Sequence, residues 1–182
     1  MDVDMNENSN LTAALSRLIQ LILVGVVFGL VVALVAHFFV LGVQFFTNFR
    51  AVVAPIQISG FELHYAQFFT LGFVALCIIA IKKNLGVARW HGPADSIHAA
   101  HRTDNELDIK AGLSSTLVAF LSASGGASVG QYGPLVHFGA VIGSALKRFS
   151  RSGISTDIFI GCGVAAAISA GFNAPIAGVI FA

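Results

Sequence analysis

Charge is what this sequence has least of. Of 182 residues, 10 are Lys or Arg and 9 are Asp or Glu, together 10% of the chain, against about 25% in ordinary soluble domains. So few charges cannot solvate the surface of a domain of this size. Two cysteines, Cys77 and Cys162, lie far apart in apolar runs, which excludes a disulfide framework and gives no zinc-ligand spacing. A net charge of +1 with no basic stripe excludes a nucleic-acid binder. The first ten residues carry Asp2, Asp4 and Glu7 and no basic residue, the wrong sign for a secretory leader. What remains is apolar: 56% hydrophobic residues, with 19 glycines besides. That excludes disorder and predicts an integral membrane protein built from helices.

The gaps between charges measure the membrane. Leu18–Phe49 is 32 residues without a charge, Leu63–Ile81 is 19, Ala111–Leu146 is 36 and Ile158–Ala182 is 25. A bilayer core takes about 20 helical residues. Each run can therefore span, the first as a steeply tilted or protruding helix, and the third is too long for one simple helix. If the N-terminus is cytoplasmic and the third run turns back, nine of the ten basic residues fall on the inner side and only Arg50 outside, a strong positive-inside pattern. Residues 1–17 then read as a cytosolic lead-in, and the charge-free stretch 51–60 as a short outer loop.

The third and fourth runs are interrupted. Ala111–Leu121 reads as helix, glycines crowd positions 125, 126, 130 and 133, and Leu135–Leu146 reads as helix again. The fourth run reads as helix over 158–170, breaks at Gly171-Phe172-Asn173-Ala174-Pro175 and resumes. Proline suits the first position of a helix, where its missing N–H costs nothing, so Pro93, Pro134 and Pro175 each mark a helix start. Broken helices in a membrane are tolerated where the bared backbone lines a cavity or is buried in protein. Their N-terminal ends carry partial positive charge and unpaired N–H groups, which suit an anion. No acidic residue lies between Ala111 and Leu146 to attract a cation instead. The pattern points to a transport protein that favours anions. Close helix packing is the plainer reading of Gly126-x-x-x-Gly130, Gly139-x-x-x-Gly143 and the series Gly163, Ala167, Gly171, but it does not explain a Gly-Pro or an Ala-Pro inside an apolar run.

Two segments carry a specific resemblance. Gly125-Gly126-Ala127-Ser128-Val129-Gly130-Gln131-Tyr132-Gly133-Pro134-Leu135-Val136-His137 resembles the segment of CLC chloride channels and transporters that contains their Gly-Arg-Glu-Gly-Pro signature. Phe172-Asn173-Ala174-Pro175-Ile176-Ala177-Gly178 is similar, nearly residue for residue, to the Phe-Asn-Ala-Pro-Leu-Ala-Gly segment that follows it there. The order of runs fits the N-terminal half of that family, over 18–182. The resemblance implies an all-α multi-pass CLC-like fold with tilted and broken helices, one half of an inverted repeat, in the cell (inner) membrane. It implies chloride or another small anion as the transported species, a homodimer with one pore per subunit, and no cofactor. The family's second half, which supplies the remaining anion ligands, has no counterpart in these residues.

The departures from the family pattern bear on mechanism. Tyr132 stands where the family's gating glutamate stands, and Gln131 replaces the arginine before it. Trp90-His91-Gly92-Pro93-Ala94 corresponds loosely to the Gly-Ser-Gly-Ile-Pro signature, with His91 in place of the serine. A phenol titrates near ~10, so Tyr132 is a neutral constriction and not an anionic plug, and the resemblance then implies passive, channel-like flux. The expected anion pathway comprises Gly130, Gln131, Tyr132, Gly133, Pro134, His91 and Gly92, with the helix start Asn173, Ala174, Pro175 beside it. Asp95 is a helix cap in this reading, and His137 faces the pathway or packs. Phe38, Phe39, Phe45, Phe46, Phe68 and Phe69 are lipid-facing bulk, and Trp90 an interface anchor. His91, Asp95 and His98 fall at i, i+4 and i+7 with Arg102 below, a pattern from which a metal site can be drawn. Two other functions therefore stand beside the anion pathway: a broken-helix water or small-solute channel, and an intramembrane metalloenzyme without a His-Glu-x-x-His motif or nucleophile elbow.

Overall fold

A computed structural model describes residues 2–53, 56–58, 61–63, 65–150 and 153–182. Seven helices and one small hairpin follow in order. Helix α1 runs Asp2–Ala51 without a break at Arg17, because no glycine or proline precedes Gly25. Its apolar part, Ala14–Ala51, is about 57 Å long at 1.5 Å per residue, nearly twice the ~30 Å hydrocarbon core. Helix α2, Tyr65–Leu85, is the second helix long and apolar enough to cross a membrane. It has no buried residue, and Phe68, Phe69, Phe73, Leu76 and Ile79 stand exposed along it. Apolar faces of that extent call for lipid or protein around them.

Between the two, strands β1 (Ile56–Ile58) and β2 (Phe61–Leu63) pair antiparallel, Ile58 opposite Phe61. The expected charge-free loop thus holds a strand pair. Ser59-Gly60 between Ile58 and Phe61 was the available signal. Positions 54, 55, 59 and 60, with His64 and Arg151, lie outside the described residues. Apart from this pair the described elements are all α-helical, as expected.

The remaining helices are α3 (Pro93–His101), α4 (Ile109–Gly125), α5 (Tyr132–Phe149), α6 (Thr156–Phe172) and α7 (Pro175–Phe181). The 36-residue run is therefore two helices that reverse through 126–131. Pro93 and Pro175 open their helices as expected. Helix α5 begins two residues before Pro134, which sits in the first turn where no N–H partner is lost. Gly126 caps α4 in the left-handed region, φ +96°, a conformation that disfavours any side chain. The Arg50 guanidinium donates to the Ser124 carbonyl and Thr70 Oγ1 donates to the Gly125 carbonyl at 3.0 Å, so side chains of α1 and α2 satisfy the end of α4. At its start, the Asp108 carboxylate accepts from the Ala111 N–H at 3.0 Å.

Helices α5 and α6 lie antiparallel at the centre, and the small residues are what let them approach. A Cβ on Gly139 or Gly163 would fall on the other residue's backbone carbonyl, and one on Gly143 would fall on the Phe159 carbonyl. The packing reading therefore holds for these three. It fails for Gly126-x-x-x-Gly130, where Gly126 is a helix cap and a Cβ on Gly130 would meet nothing within 4 Å. Against α5 and α6, α1 contributes Val32, Ala36, Phe39 and Val43 to a buried cluster with Leu135 and Ala167. Phe39 is thus core and not lipid-facing: it is 8% exposed and its ring packs edge-on against Phe120. Phe38, Phe45, Phe46, Phe68 and Phe69 are exposed.

Candidate functional site

The expected pathway residues come from three chain segments. The structure brings two of them into contact. Helices α3 and α5 run side by side in the same direction: a Cβ on Gly133 would lie 3.6 Å from the Pro93 ring, and Ser96 Oγ lies 2.6 Å from His137 Nδ1. The N-terminal ends of two half-helices, Gly92-Pro93 and Gln131-Tyr132-Gly133-Pro134, therefore meet. Asp95 caps the first end, accepting from the Gly92 N–H at 2.8 Å while Arg89 binds its other oxygen. This is the cap role expected for it. Gln131, at the second end, makes no side-chain cap, so the first N–H groups of α5 have no side-chain acceptor.

Tyr132 is half-buried. Its ring stacks on Phe172 at 4.1 Å and lies near Gly171, which puts the third segment beside it. Asn173 takes the left-handed conformation, φ 53°, to turn the chain into α7. Helix α7 folds back on α6, its Gly178 against Ser169 and the Ala165 carbonyl. Gly130 is exposed in the loop, and Gly133 and Pro134 are half-buried.

His91 precedes α3, so the expectation that it shares a helical face with Asp95 and His98 is corrected: a helix opened by Pro93 cannot include it. The residues still converge. His91, Asp95, His98 and Arg102 line a cavity of about 580 Å³ together with Lys110 and Arg148. Arg89 lines it too, whereas Arg50 lies at the far end of α4, about 25 Å away for a 17-residue helix. Arg89, Arg102, Lys110 and Arg148, which line it, are four of the nine basic residues expected on the inner side. At its rim, the Glu106 N–H and the Arg102 guanidinium beside Asp104 hold that carboxyl below the usual carboxylate range. Among the described residues, no three His, Cys, Asp or Glu side chains gather as a metal site would need.

The sequence left the place of His137 open. It is buried, 1% exposed, with its ring centre 6.2 Å from that of His91. The His91 N–H donates to Ser115 Oγ at 2.7 Å, and Ser115 donates to the Ala111 carbonyl at 2.7 Å. Ser114 and Thr116 donate to carbonyls four residues back in the same way, so the polar stretch of α4 is largely self-satisfied. Ser115 as the anchor for the backbone of His91 had no signal in the sequence, since 24 residues separate the pair.

The chain is similar to known chloride channel proteins. A 95-residue stretch, 50% of this chain, is 34% identical to a ClcB-like chloride channel protein of Ralstonia nicotianae, covering 22% of that protein. Over 171 residues, 92% of the chain, it is 26% identical to the voltage-gated ClC-type chloride channel ClcB of Yersinia pseudotuberculosis, covering 41% of it. The Escherichia coli protein of the same name is 30% identical over 93 residues, 51% of this chain and 22% of its own length. The chain thus spans less than half the length of these relatives. No solved structure matches it. The profile of the voltage gated chloride channel family matches residues 71–182, which take in both converging helix starts, the reversal through 126–131 and the Asn173-Ala174-Pro175 turn: the chain belongs to that family.

Proposed function

We propose that this chain forms the N-terminal part, residues 18–182, of a CLC-type anion pathway. The observation that carries the reading is the meeting of two half-helix N-termini, at Gly92-Pro93 and at Gln131–Pro134, in a region where α4 and α5 hold no carboxylate over 111–146. At the start of α5 a positive dipole end and N–H groups without a side-chain cap favour an anion, while at the start of α3 the Gly92 N–H is taken by Asp95. Chloride is the anion named for the relatives, and the polar cavity beside the α3 start carries Arg89, Arg102, Lys110 and Arg148 against Asp95, Glu106 and Asp108, a small excess of positive charge that suits an anion vestibule on the same path. Residues 1–17 extend α1 on the cytoplasmic side. The complete protein is a homodimer in the inner membrane with one pore per subunit, and a second, inverted half of each chain supplies the rest of the anion shell.

Flux through this pathway is passive. A group that shuttles protons titrates near the working pH, which suits a desolvated carboxylate and not an ordinary phenol. With Tyr132 at the gating position and Gln131 before it, the constriction stays neutral. The test is the full-length protein in liposomes with an imposed chloride gradient and a pH electrode. Chloride should move down its gradient without stoichiometric proton movement, and uphill proton flow at a fixed ratio to chloride would refute the passive reading. Water or glycerol permeation without anion flux would favour a solute channel instead.

A further inference from the structure

The two helices long and apolar enough to cross a membrane, α1 and α2, border one polar pocket of about 180 Å³ at their connected ends. Thr47, Arg50 and Ala51 line it from α1, and Tyr65, Ala66 and Gln67 from the first turn of α2. Among the described residues no carboxylate lines it. The ion pairs among those residues are Arg89 with Asp95 and Arg102 with Asp104, so the Arg50 charge has no acidic partner there. We propose that this pocket binds the phosphate of a phospholipid, held by Arg50. The site lies at the far end of α4 from the basic cavity, and it does not depend on the anion-pathway reading.

The guanidinium is already placed for such a ligand. It carries five N–H donors in one plane. Arg50 uses one on the Ser124 carbonyl and one on Thr47 Oγ1 at 3.3 Å, which leaves three for a ligand. A Cβ on Gly126 would lie 3.2 Å from Arg50 Cζ, so the group also rests against the cap of α4. A fork held in this way loses little freedom on binding, and phosphate oxygens accept from such a fork in pairs. The Tyr65 hydroxyl and the Gln67 amide add neutral donors, and the positive end of the α2 dipole adds to the attraction.

The apolar surface beside the pocket favours a lipid over a free phosphate. On α1, Phe46 and Phe49 stand exposed within a turn of Arg50; on α2, Phe68 and Phe69 stand exposed about a turn from Tyr65. Acyl chains attached to a phosphate in the pocket cover these rings, and a free phosphate gains nothing from them. Tyrosine and arginine at the ends of membrane helices belong at the depth of the headgroups. In the orientation proposed above this is the outer leaflet. One cation matches one phosphodiester, so a lipid with a single phosphate fits. Because Arg50 also holds the Ser124 carbonyl, a bound lipid steadies the end of α4 and the reversal that follows it.

The test uses the full-length protein in a maltoside detergent, titrated with phosphatidylglycerol, whose headgroup brings no ammonium in need of a carboxylate. Native mass spectrometry reads the affinity, and amide exchange reads the place. The amides of Gly126, Ala127 and Val129 are hydrogen-bonded, and the lipid should slow their exchange. In Arg50→Gln the slowing should be lost and the tightest lipid held about fivefold more weakly. Ala51→Trp, which fills the pocket and leaves Arg50 in place, should do the same. No slowing by the lipid, or equal slowing in the unaltered protein and both variants, overturns the inference. Glycerophosphoglycerol and inorganic phosphate supply the phosphate without acyl chains. If either slows the same amides at equal concentration, the ligand is a free phosphate and the lipid reading is overturned. If the variants fail to fold, this contrast on the unaltered protein decides. Chloride flux is read separately, so failure of this site leaves the anion pathway standing.

Discussion

Helices α5 and α6 approach closely enough at Gly139 and Gly163 that one methyl group there should be felt. In Gly139→Ala the new Cβ would overlap the Gly163 carbonyl and lie 2.7 Å from Ala167 Cβ. Ordinary carbon–carbon contact is about 3.5–4.0 Å, and neither a backbone carbonyl nor an alanine methyl can rotate aside. The two helices must therefore part by about 1 Å, a gap that forfeits a quarter to a half of the dispersion energy of the contacts it opens. Overpacking of this kind costs about 1–3 kcal/mol. Replacing a helical glycine also returns up to about 1 kcal/mol of propensity, so a control with the same chemical change is needed. Gly29→Ala on α1 is that control, because a Cβ at that position meets nothing within 4 Å.

The difference between the two variants isolates the contact at about 1–3 kcal/mol. At about 2–4 °C per kcal/mol for a chain of this size, the Tm in detergent should differ by about 2–12 °C, with Gly29→Ala the higher. Gly163→Ala should behave like Gly139→Ala. The double variant should cost less than the sum of the two, because a single separation of the helices relieves both clashes; neighbouring sites couple by about 0.5–3 kcal/mol. Equal Tm values for Gly139→Ala and Gly29→Ala, or strict additivity of the glycine pair, would refute the packing described for α5 and α6.

Other outcomes follow from individual contacts. Tyr132→Ala should raise chloride flux or leave it unchanged, while Tyr132→Glu should add a carboxylate-type pH dependence; both are read in the liposome assay. Arg50→Ala removes a charged donor from the Ser124 carbonyl and should cost about 1.5–3 kcal/mol, with faster amide exchange over Gly126–Val129 as the specific sign and partial recovery in Arg50→Lys. Asp108→Ala loses the cap of α4 and should lower stability by about 0.5–2 kcal/mol, seen as a lower Tm with unaltered helix content.

What the sequence made legible is what depends on neighbours along the chain. Charge-free runs gave the helices, Pro93 and Pro175 gave two helix starts to the residue, and the glycines near 126 gave the reversal that returns Lys147 and Arg148 towards the side of Arg89. Phe39 was misplaced because a helix this apolar shows no polar face from which to orient the buried one. The strand pair at 56–58 and 61–63 does not show in the charge pattern, because a short charge-free stretch suits a loop and a strand pair alike. The meeting of Pro93 with Gly133 and of Ser96 with His137 joins residues about 40 apart, and no periodicity within either segment encodes it. The family resemblance reached the segments but not their contact.

The site as built bears on why the family's charged residues can be absent from it. On the proposed reading the anion is held by backbone: two helix N-termini whose partial charges come from aligned peptide groups and do not depend on side-chain identity. Replacing a carboxylate by Tyr132, an arginine by Gln131 and a hydroxyl by His91 leaves those dipoles in place, provided the glycines and prolines that shape the helix starts remain, and Gly92, Pro93, Gly133 and Pro134 do. What such replacements alter is the placement of titratable groups. A carboxylate at position 132 would sit in the path and compete with the anion itself. An ionised carboxylate plug is relieved by protonation at its own position, so Tyr132→Glu should bring a rise of chloride flux as the pH falls that Tyr132→Ala lacks, and an equal response in both variants would refute the placement of Tyr132 in the path.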